Sequence, residues 1–236
     1  MRQLQLRFYS LEEIAQEVGR ERNHHFAEAV KNDLDKWGYE YQWLKRRGII
    51  ITKRPETAEE RLAELTYRHF KLSIQIEAQA FAHFLFLLLT DAFFLSMPWE
   101  ERAEELDYQF DISITGRTLR SWASYLFRAG FLHKDEINSA YWMTYLDGGK
   151  MRREPVEPED YEIKNEYFAR RNELVRQNMD AGMEKSVAWK CAYKQLWGEY
   201  GCCYYPCSHL VLNALQEDID EMVEWVTEIC VLDEED

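Results

Sequence analysis

Glycine and proline are scarce, ten and five residues in a chain of 236. So few chain breakers argue against a loop-rich β fold and favour long helices. A Gly-rich phosphate loop, an H-E-x-x-H pair and a G-x-S-x-G elbow are all missing. Those absences lead to the expectation of no enzymatic activity and no cofactor. Residues 1–8 alternate polar and apolar side chains without an apolar h-region, so no secretory signal is read there. The most apolar stretch, 78–90, is ended by Asp91 and is too short for a membrane span, so it is read as a buried core helix. Five cysteines, an odd number without a signal, imply reduced thiols and a soluble cytoplasmic protein.

What is present is globular in kind. Hydrophobic residues make up 46% and aromatic residues 14%, too apolar for disorder and enough for one large domain or two to three small ones. The formal charge of −14 is unevenly placed. Residues 1–75 hold 14 Lys and Arg against 12 Asp and Glu, residues 76–160 hold 8 against 15, and residues 161–236 hold 7 against 16. Proteins that bind nucleic acid are usually basic, so the charge of the first third alone suits phosphates.

Periodicity lays out the elements. Leu4, Leu6 and Phe8 alternate as a short strand over 3–8. Ser10 and Glu13 form a capping box that opens a helix with Leu11, Ile14, Ala15 and Val18 as its apolar stripe and Gly19 as its stop. Phe26, Val30, Leu34 and Trp37 mark one face of a second helix, capped by Asn23 and stopped by Gly38. Tyr39, Tyr41 and Trp43 alternate, Lys45-Arg46-Arg47-Gly48 makes a basic turn, and residues 49–52 return as a strand. Thr57 and Glu60 form another capping box, opening a connecting helix to about Ser73.

Helices follow over about 78–95, 98–108 and 116–129, then a hairpin of 141–146 and 150–156 turning at Asp147-Gly148-Gly149. Pro155 and Pro158 mark a boundary, beyond which three helices are read over about 159–178, 183–199 and 208–231. The expected fold is mainly α with small β hairpins. Its expected segments are 1–54, a connecting helix over 55–77, a domain over 78–156 and an acidic C-terminal helical domain over 157–236.

Residues 84–95, 98–106 and 117–132, the last closed by a hairpin, resemble a winged helix-turn-helix domain. Arg117-Thr118-Leu119 with Leu126 and Ala129-Gly130-Phe131-Leu132 is similar to the recognition helix and first wing strand of many bacterial and phage examples. Residues 3–53, with Ala15 and Gly19 at the small-residue positions, resemble a second, shorter winged unit. Tandem winged units are typical of plasmid and phage replication initiators and of mobile-element regulators. The resemblance implies a protein that binds double-stranded DNA.

The candidate contacts lie at both recognition helices and both wings. Arg20, Arg22, Asn23, His24 and His25 crowd the start of the first recognition helix, the part that usually meets base edges. Lys45, Arg46 and Arg47 form its wing tip. On the second, Arg117, Thr118, Arg120, Ser121, Ser124 and Arg128 lie at the helix start or along the face opposite Leu119, Trp122 and Leu126. Lys150, Arg152 and Arg153 occupy its wing. Arginine forks suit phosphates and guanine edges, and hydroxyls suit phosphates. The plainer alternative is a set of solvated helix faces on domains that contact only protein.

Other clusters have simpler readings. Cys191, Cys202, Cys203, Cys207 and His209 hold zinc-type donors, but no C-x-x-C knuckle is present, and core packing is preferred over a metal. His24 and His25 are neighbours that a helix would point about 100° apart, which disfavours a metal pair. His83 reads as a hydrogen-bonded core histidine, and Trp189, Tyr193, Trp197, Tyr200, Tyr204 and Tyr205 read as a core seam rather than a base-stacking surface.

A second function class stays open. Glu217, Asp218, Asp220, Glu221, Glu224 and Glu228 form a carboxylate-rich helix face. Such a face could dock a protein partner, serve dimerisation, or occupy the basic groove of a nucleic-acid-handling protein, as anti-restriction and anti-CRISPR proteins do by mimicking DNA. Its plain counterpart is a solvated amphipathic helix backed by Leu212, Leu215, Ile219, Val223 and Val226.

Overall fold

A computed structural model describes residues 4–45, 47–72 and 76–231, the side chains of 136–138 excepted. The fold is mixed α/β rather than mainly α: 58% helical and 19% strand, with nine helices and two small antiparallel sheets among the described residues. By compactness the chain forms two units, one of residues 1–95, 102–133 and 211–236, the other of 96–101 and 134–210. These bounds differ from the breaks read at 54, 77 and 156. No described helix is long and apolar enough to cross a membrane.

The first unit begins with β1 (Phe8–Ser10), α1 (Leu11–Val18), α2 (Phe26–Lys36), β2 (Glu40–Trp43) and β3 (Gly48–Lys53). The first strand lies later than the expected 3–8, although Leu4 is buried in the same core as the hairpin. The Ser10 hydroxyl accepts from Glu13 N at 3.2 Å and the Glu13 carboxylate from Ser10 N at 2.8 Å, which caps α1 reciprocally. Gly19 ends α1 in the left-handed region at φ 64°. The cap of α2 is His25 rather than Asn23. Asn23 instead accepts the His25 amide at 2.9 Å, an Asx turn one step ahead of the helix. The sheet order is β1-β3-β2, antiparallel throughout. Gly48 makes the β1 pairing possible, because a Cβ there would run into the Tyr9 carbonyl.

The same unit continues with α3 (Ala58–Phe70), α4 (Ala78–Thr90), α5 (Trp99–Phe110) from Arg102 onward, α6 (Gly116–Arg128) and, at the far end of the chain, α9 (Gln216–Val231), which packs on α3 and α4. The expected end of the connecting helix at Ser73 lies outside the described residues; α3 stops at Phe70, with Lys71 left-handed at φ 55°. The apolar run forms α4 and ends at Asp91, short of the expected Leu95, with a 3-10 turn over Phe94–Ser96. Phe81, Phe84, Leu85 and Leu88 of α4 are buried with Leu119, Trp122 and Leu126 of α6, and the Phe81 and Trp122 rings meet edge to face at 5.5 Å. The chain leaves this unit after His133 and returns at Val211. Asn213 closes the gap: its amide donates to Phe131 O at 2.8 Å and its side chain to Gly130 O at 3.0 Å.

Charge is buried among these helices. Glu64 and Arg68, one turn apart on α3, pair at 3.0 Å with both side chains fully enclosed. Tyr39 donates to Glu64 Oε2 at 2.7 Å, and the guanidinium lies near the rings of Trp37 and Trp225, 5.8 and 5.7 Å from their centroids. Burial pushes the Glu64 carboxyl up to about 7 and the neighbouring His69 imidazole down to about 4.

The second unit holds most of β4 (Leu132–Asp147), then β5 (Lys150–Pro155), α7 (Tyr161–Asp180), α8 (Lys185–Tyr200) and most of β6 (Cys202–Leu212), in sheet order β5-β4-β6. The third strand replaces the start of the expected helix over 208–231, which begins instead at Gln216. The helical hairpin of α7 and α8 is held by Arg170 on Glu199, two bonds of 3.1 Å. Tyr167 fills the core, with the rings of Tyr200 and Tyr204 at 5.2 and 5.1 Å. Lys164 is buried over the Tyr141 and Tyr161 rings at 3.8 and 4.0 Å.

Removing Arg68 leaves Glu64 buried without its cation. Arg68→Met is therefore expected to destabilise the protein by about 3–5 kcal/mol, read from the urea midpoint. Glu64→Gln added to it recovers much of the loss in alkaline solution, where the carboxyl ionises, and less below about pH 7, where burial already keeps it protonated. An unchanged midpoint in the single variant would contradict this account.

Candidate nucleic-acid interface and acidic cavity

The residues at the start of α2 do not form one free basic cluster. Arg20 grips Asp33 of α2 with two parallel bonds, Nε to Oδ2 at 2.7 Å and Nη2 to Oδ1 at 2.8 Å. Its guanidinium also lies 5.0 Å from the Tyr67 ring centroid. The Asp33 carboxylate raises the Arg20 pKa further. Arg20 thus clamps the α1–α2 turn to α2. Arg22 pairs with Glu12 of α1. His24 and His25 precede the helix body, so their rings do not diverge as helix neighbours would; their centroids are 3.9 Å apart at 46°.

Arg22, Asn23, His24 and Lys45 share a cleft of about 430 Å³ with Leu11, Phe26, Ala27 and Trp43. Lys45 stands at the turn between β2 and β3 in the left-handed region, φ 47°. Arg47 is exposed beside it, and Arg46 lies outside the described residues. The Lys31 ammonium sits 5.3 Å from the centroid of the Trp43 ring.

On α6 the expected face is present. Thr115 caps the helix by accepting from Thr118 N at 3.2 Å, and its hydroxyl meets that of Thr118 at 3.0 Å. Arg117, Arg120, Ser121, Ser124 and Arg128 are exposed, while Gly116, Leu119, Trp122, Ala123 and Leu126 are buried. Arg128 donates to Ser124 O at 3.3 Å and lies over Tyr125 at 4.7 Å. No carboxylate occurs among the 13 residues of this helix.

The basic residues near the second turn lie in the other compact unit. Arg153 pairs with Glu101 at 3.1 Å, both partly buried, and so braces the hairpin of β4 and β5. Lys150 and Arg152 are exposed at its tip, Arg152 with Asp147 at 3.9 Å.

The carboxylates of α9 gather where the sequence alone could not place them. Glu217, Asp220, Glu221, Glu224 and Glu228 line a cavity of about 620 Å³ together with Gln5, Arg54 and Trp225. Asp218 is not part of this lining. Arg61 of α3 pairs with Glu228, and Arg54 bonds Gln5. The buried residues of α9 are Met222, Trp225, Val226 and Ile229, whereas Leu215 is exposed and Leu212 belongs to β6, so the backing stripe is shifted from the expected one. Arg54, Gln5 and Trp225 carried no sequence signal for this role, because contact between residues 5 and 225 is purely tertiary.

Among the described residues, no group of three His, Cys, Asp or Glu side chains could hold a metal ion. Cys202 is buried in the aromatic core and Cys203 is half-buried. Cys191 is exposed on α8. His83 bonds the Gln79 carbonyl at 2.9 Å and packs on Phe110. Of the aromatic seam, Tyr204 is buried and Trp189 and Tyr200 pack on the same core, while Tyr193 is exposed.

No protein-family model, curated protein or solved structure matches the chain.

Arg20→Ala is expected to cost about 1.5–3 kcal/mol of stability through its charge-assisted bonds, and to leave unchanged any affinity for duplex DNA at temperatures where the variant stays folded. Denaturation and a DNA titration measured side by side check this. Weakened DNA binding without lost stability would show that Arg20 is a phosphate contact after all.

Proposed function

We propose that this chain is a double-stranded-DNA-binding protein, a regulator or replication initiator, whose main contact is the exposed face of α6. The observation that carries this is charge: in a chain of net charge −14, α6 has three arginines, no acid, and exposes Arg117, Arg120, Ser121, Ser124 and Arg128 together. A helix of that length runs about 20 Å, enough to follow a major groove with arginine forks for phosphate or guanine and hydroxyls for phosphate. The order β1, α1, α2, β2, β3 with sheet order β1-β3-β2 supports reading residues 8–53 as a winged helix-turn-helix unit. In that reading the cleft holding Asn23, His24 and Lys45 is a second, weaker contact. The chain order α4, α5, α6, β4, β5 is that expected of a second such unit, although β5 and most of β4 belong to the other compact unit.

Binding of purified protein to duplex DNA across a salt series tests this. If the three arginines each neutralise a phosphate, log K falls against log salt with a slope of about −3 or steeper. Arg117→Glu with Arg120→Glu should flatten that slope by about two and weaken binding to all sequences. No binding at low salt would sink the proposal.

A second reading is favoured by the acidic cavity. Five carboxylates, Glu228 among them paired with Arg61, line one cavity with Arg54 and Trp225, an acidic excess that suits a Lys- or Arg-rich segment of another protein, as an inhibitor or adaptor would require. Under this reading a short Lys/Arg-rich peptide binds the native chain, and Glu217→Gln, Asp220→Asn, Glu221→Gln and Glu224→Gln together abolish that binding in calorimetry. Equal peptide binding by this variant would refute it.

A further inference from the structure

The hairpin of β4 and β5 ends in an apolar pair that nothing in its own unit covers. Its register sets Leu146 directly opposite Met151, one step from the Asp147–Lys150 pair at the turn. Cross-strand partners share a face, so the two side chains form one knob. Leu146 is 53% and Met151 49% exposed. All residues from 146 to 152 are exposed, whereas Met143 and Tyr145 still pack on the aromatic core of the unit. The tip is also basic. Residues 144–153 hold Lys150, Arg152 and Arg153 against one acid, Asp147. Arg153 is held by Glu101. Arg152 and Asp147 are 3.9 Å apart and each more than half exposed, a pairing weak enough to be exchanged for a phosphate.

We infer that this tip is a wedge that enters the minor groove of a duplex and unstacks a base step; the inference rests on the duplex-binding reading above. Dimensions agree. Each residue of a strand advances about 3.3 Å, so the two pairs beyond Tyr145 project about 7 Å, close to the minor-groove depth of about 7.5 Å. Alternation places Lys150 and Arg152 on the ribbon face opposite Met151, where they reach the phosphates along the groove. Leucine and methionine are among the side chains able to part stacked bases, and such wedges kink DNA by about 20–90°. The charge of the tip selects an anionic partner, and the pair of apolar side chains needs an apolar slot between its units; a stacked duplex provides both.

The test uses the full chain and a linear duplex labelled at both ends with a fluorescent donor and acceptor. The native protein is expected to raise energy transfer on binding, as the ends approach. Leu146→Ser with Met151→Ser should abolish that rise while affinity changes less than about threefold, since phosphate contacts dominate affinity. Lys150→Ala with Arg152→Ala should weaken binding and lower the salt slope by about two. All four positions are exposed, and unchanged thermal melting confirms that the variants fold. Bending by the Leu146/Met151 variant equal to that of the native protein overturns the wedge. So does binding of the native protein without any change in energy transfer, which leaves duplex binding itself standing. Absence of duplex binding overturns both together. Sedimentation with phosphatidylserine vesicles that depends on Leu146 and Met151, without DNA bending, overturns the wedge in favour of a lipid-inserting tip.

Discussion

The Arg68 guanidinium is the constraint around which the first unit is arranged. A buried arginine is tolerable only when its charge is paired and its faces are covered. Glu64 supplies the charge at 3.0 Å, and Trp37 and Trp225 the ring faces. Each of these partners sits on a different part of the chain. Trp37 follows α2, Tyr39 leads into β2 and orients Glu64 by its hydroxyl, and Trp225 comes from α9. Satisfying one side chain therefore brings the first forty residues, α3 and the last helix together. The helix α9 comes after the excursion of residues 134–210 into a separate unit, and its return places Trp225 beside Arg68. Asn213, bonded to the backbone of Gly130 and Phe131, holds the point of departure and the point of return side by side.

Charge is sorted by the same economy. The cations nearest to acids in their own unit are neutralised locally: Arg20 on Asp33, Arg22 on Glu12, Arg61 on Glu228, Arg153 on Glu101, Arg170 on Glu199. Most of these pairs brace one element against another, and those partly buried contribute more than exposed pairs do. Helix α6 differs in that its own sequence holds three arginines and no acid. The carboxylates of α9 are in excess instead: five of them line one cavity with Arg54, and Arg61 pairs with Glu228.

Local signals were legible in the sequence and tertiary ones were not. The capping boxes at Ser10–Glu13 and Thr57–Glu60 are present as read, because a cap involves residues three apart. The stripe Phe26, Val30, Leu34 and Trp37 is buried as its spacing predicts. By contrast β6 was missed. Its residues, Cys202 to Leu212, include a proline, three cysteines and a histidine, and alternate only weakly; what makes them a strand is the neighbouring β4. The same applies to Arg20. Its position before a recognition-type helix suggested a phosphate contact, yet Asp33, about two turns into α2, claims it through the fold. Trp225 and Arg54 have no periodic or motif signal that would link them to the acids of α9.

The acidic total bears less on the DNA reading than its size suggests. Screening at physiological salt limits exposed charges to about 8 Å of influence, while a thirteen-residue helix is about 20 Å long. A duplex lying along α6 would therefore feel chiefly the arginines under it, and the remaining carboxylates only in proportion to their proximity. In that reading those carboxylates would act on encounter instead: a net negative protein approaches DNA slowly and dissociates readily from contacts that do not engage a basic face. The combination of one acid-free helix with a strongly acidic remainder thus weakens indiscriminate binding more than it weakens a well-seated complex. That difference is the physical basis on which an acidic protein can be selective for a nucleic acid at all.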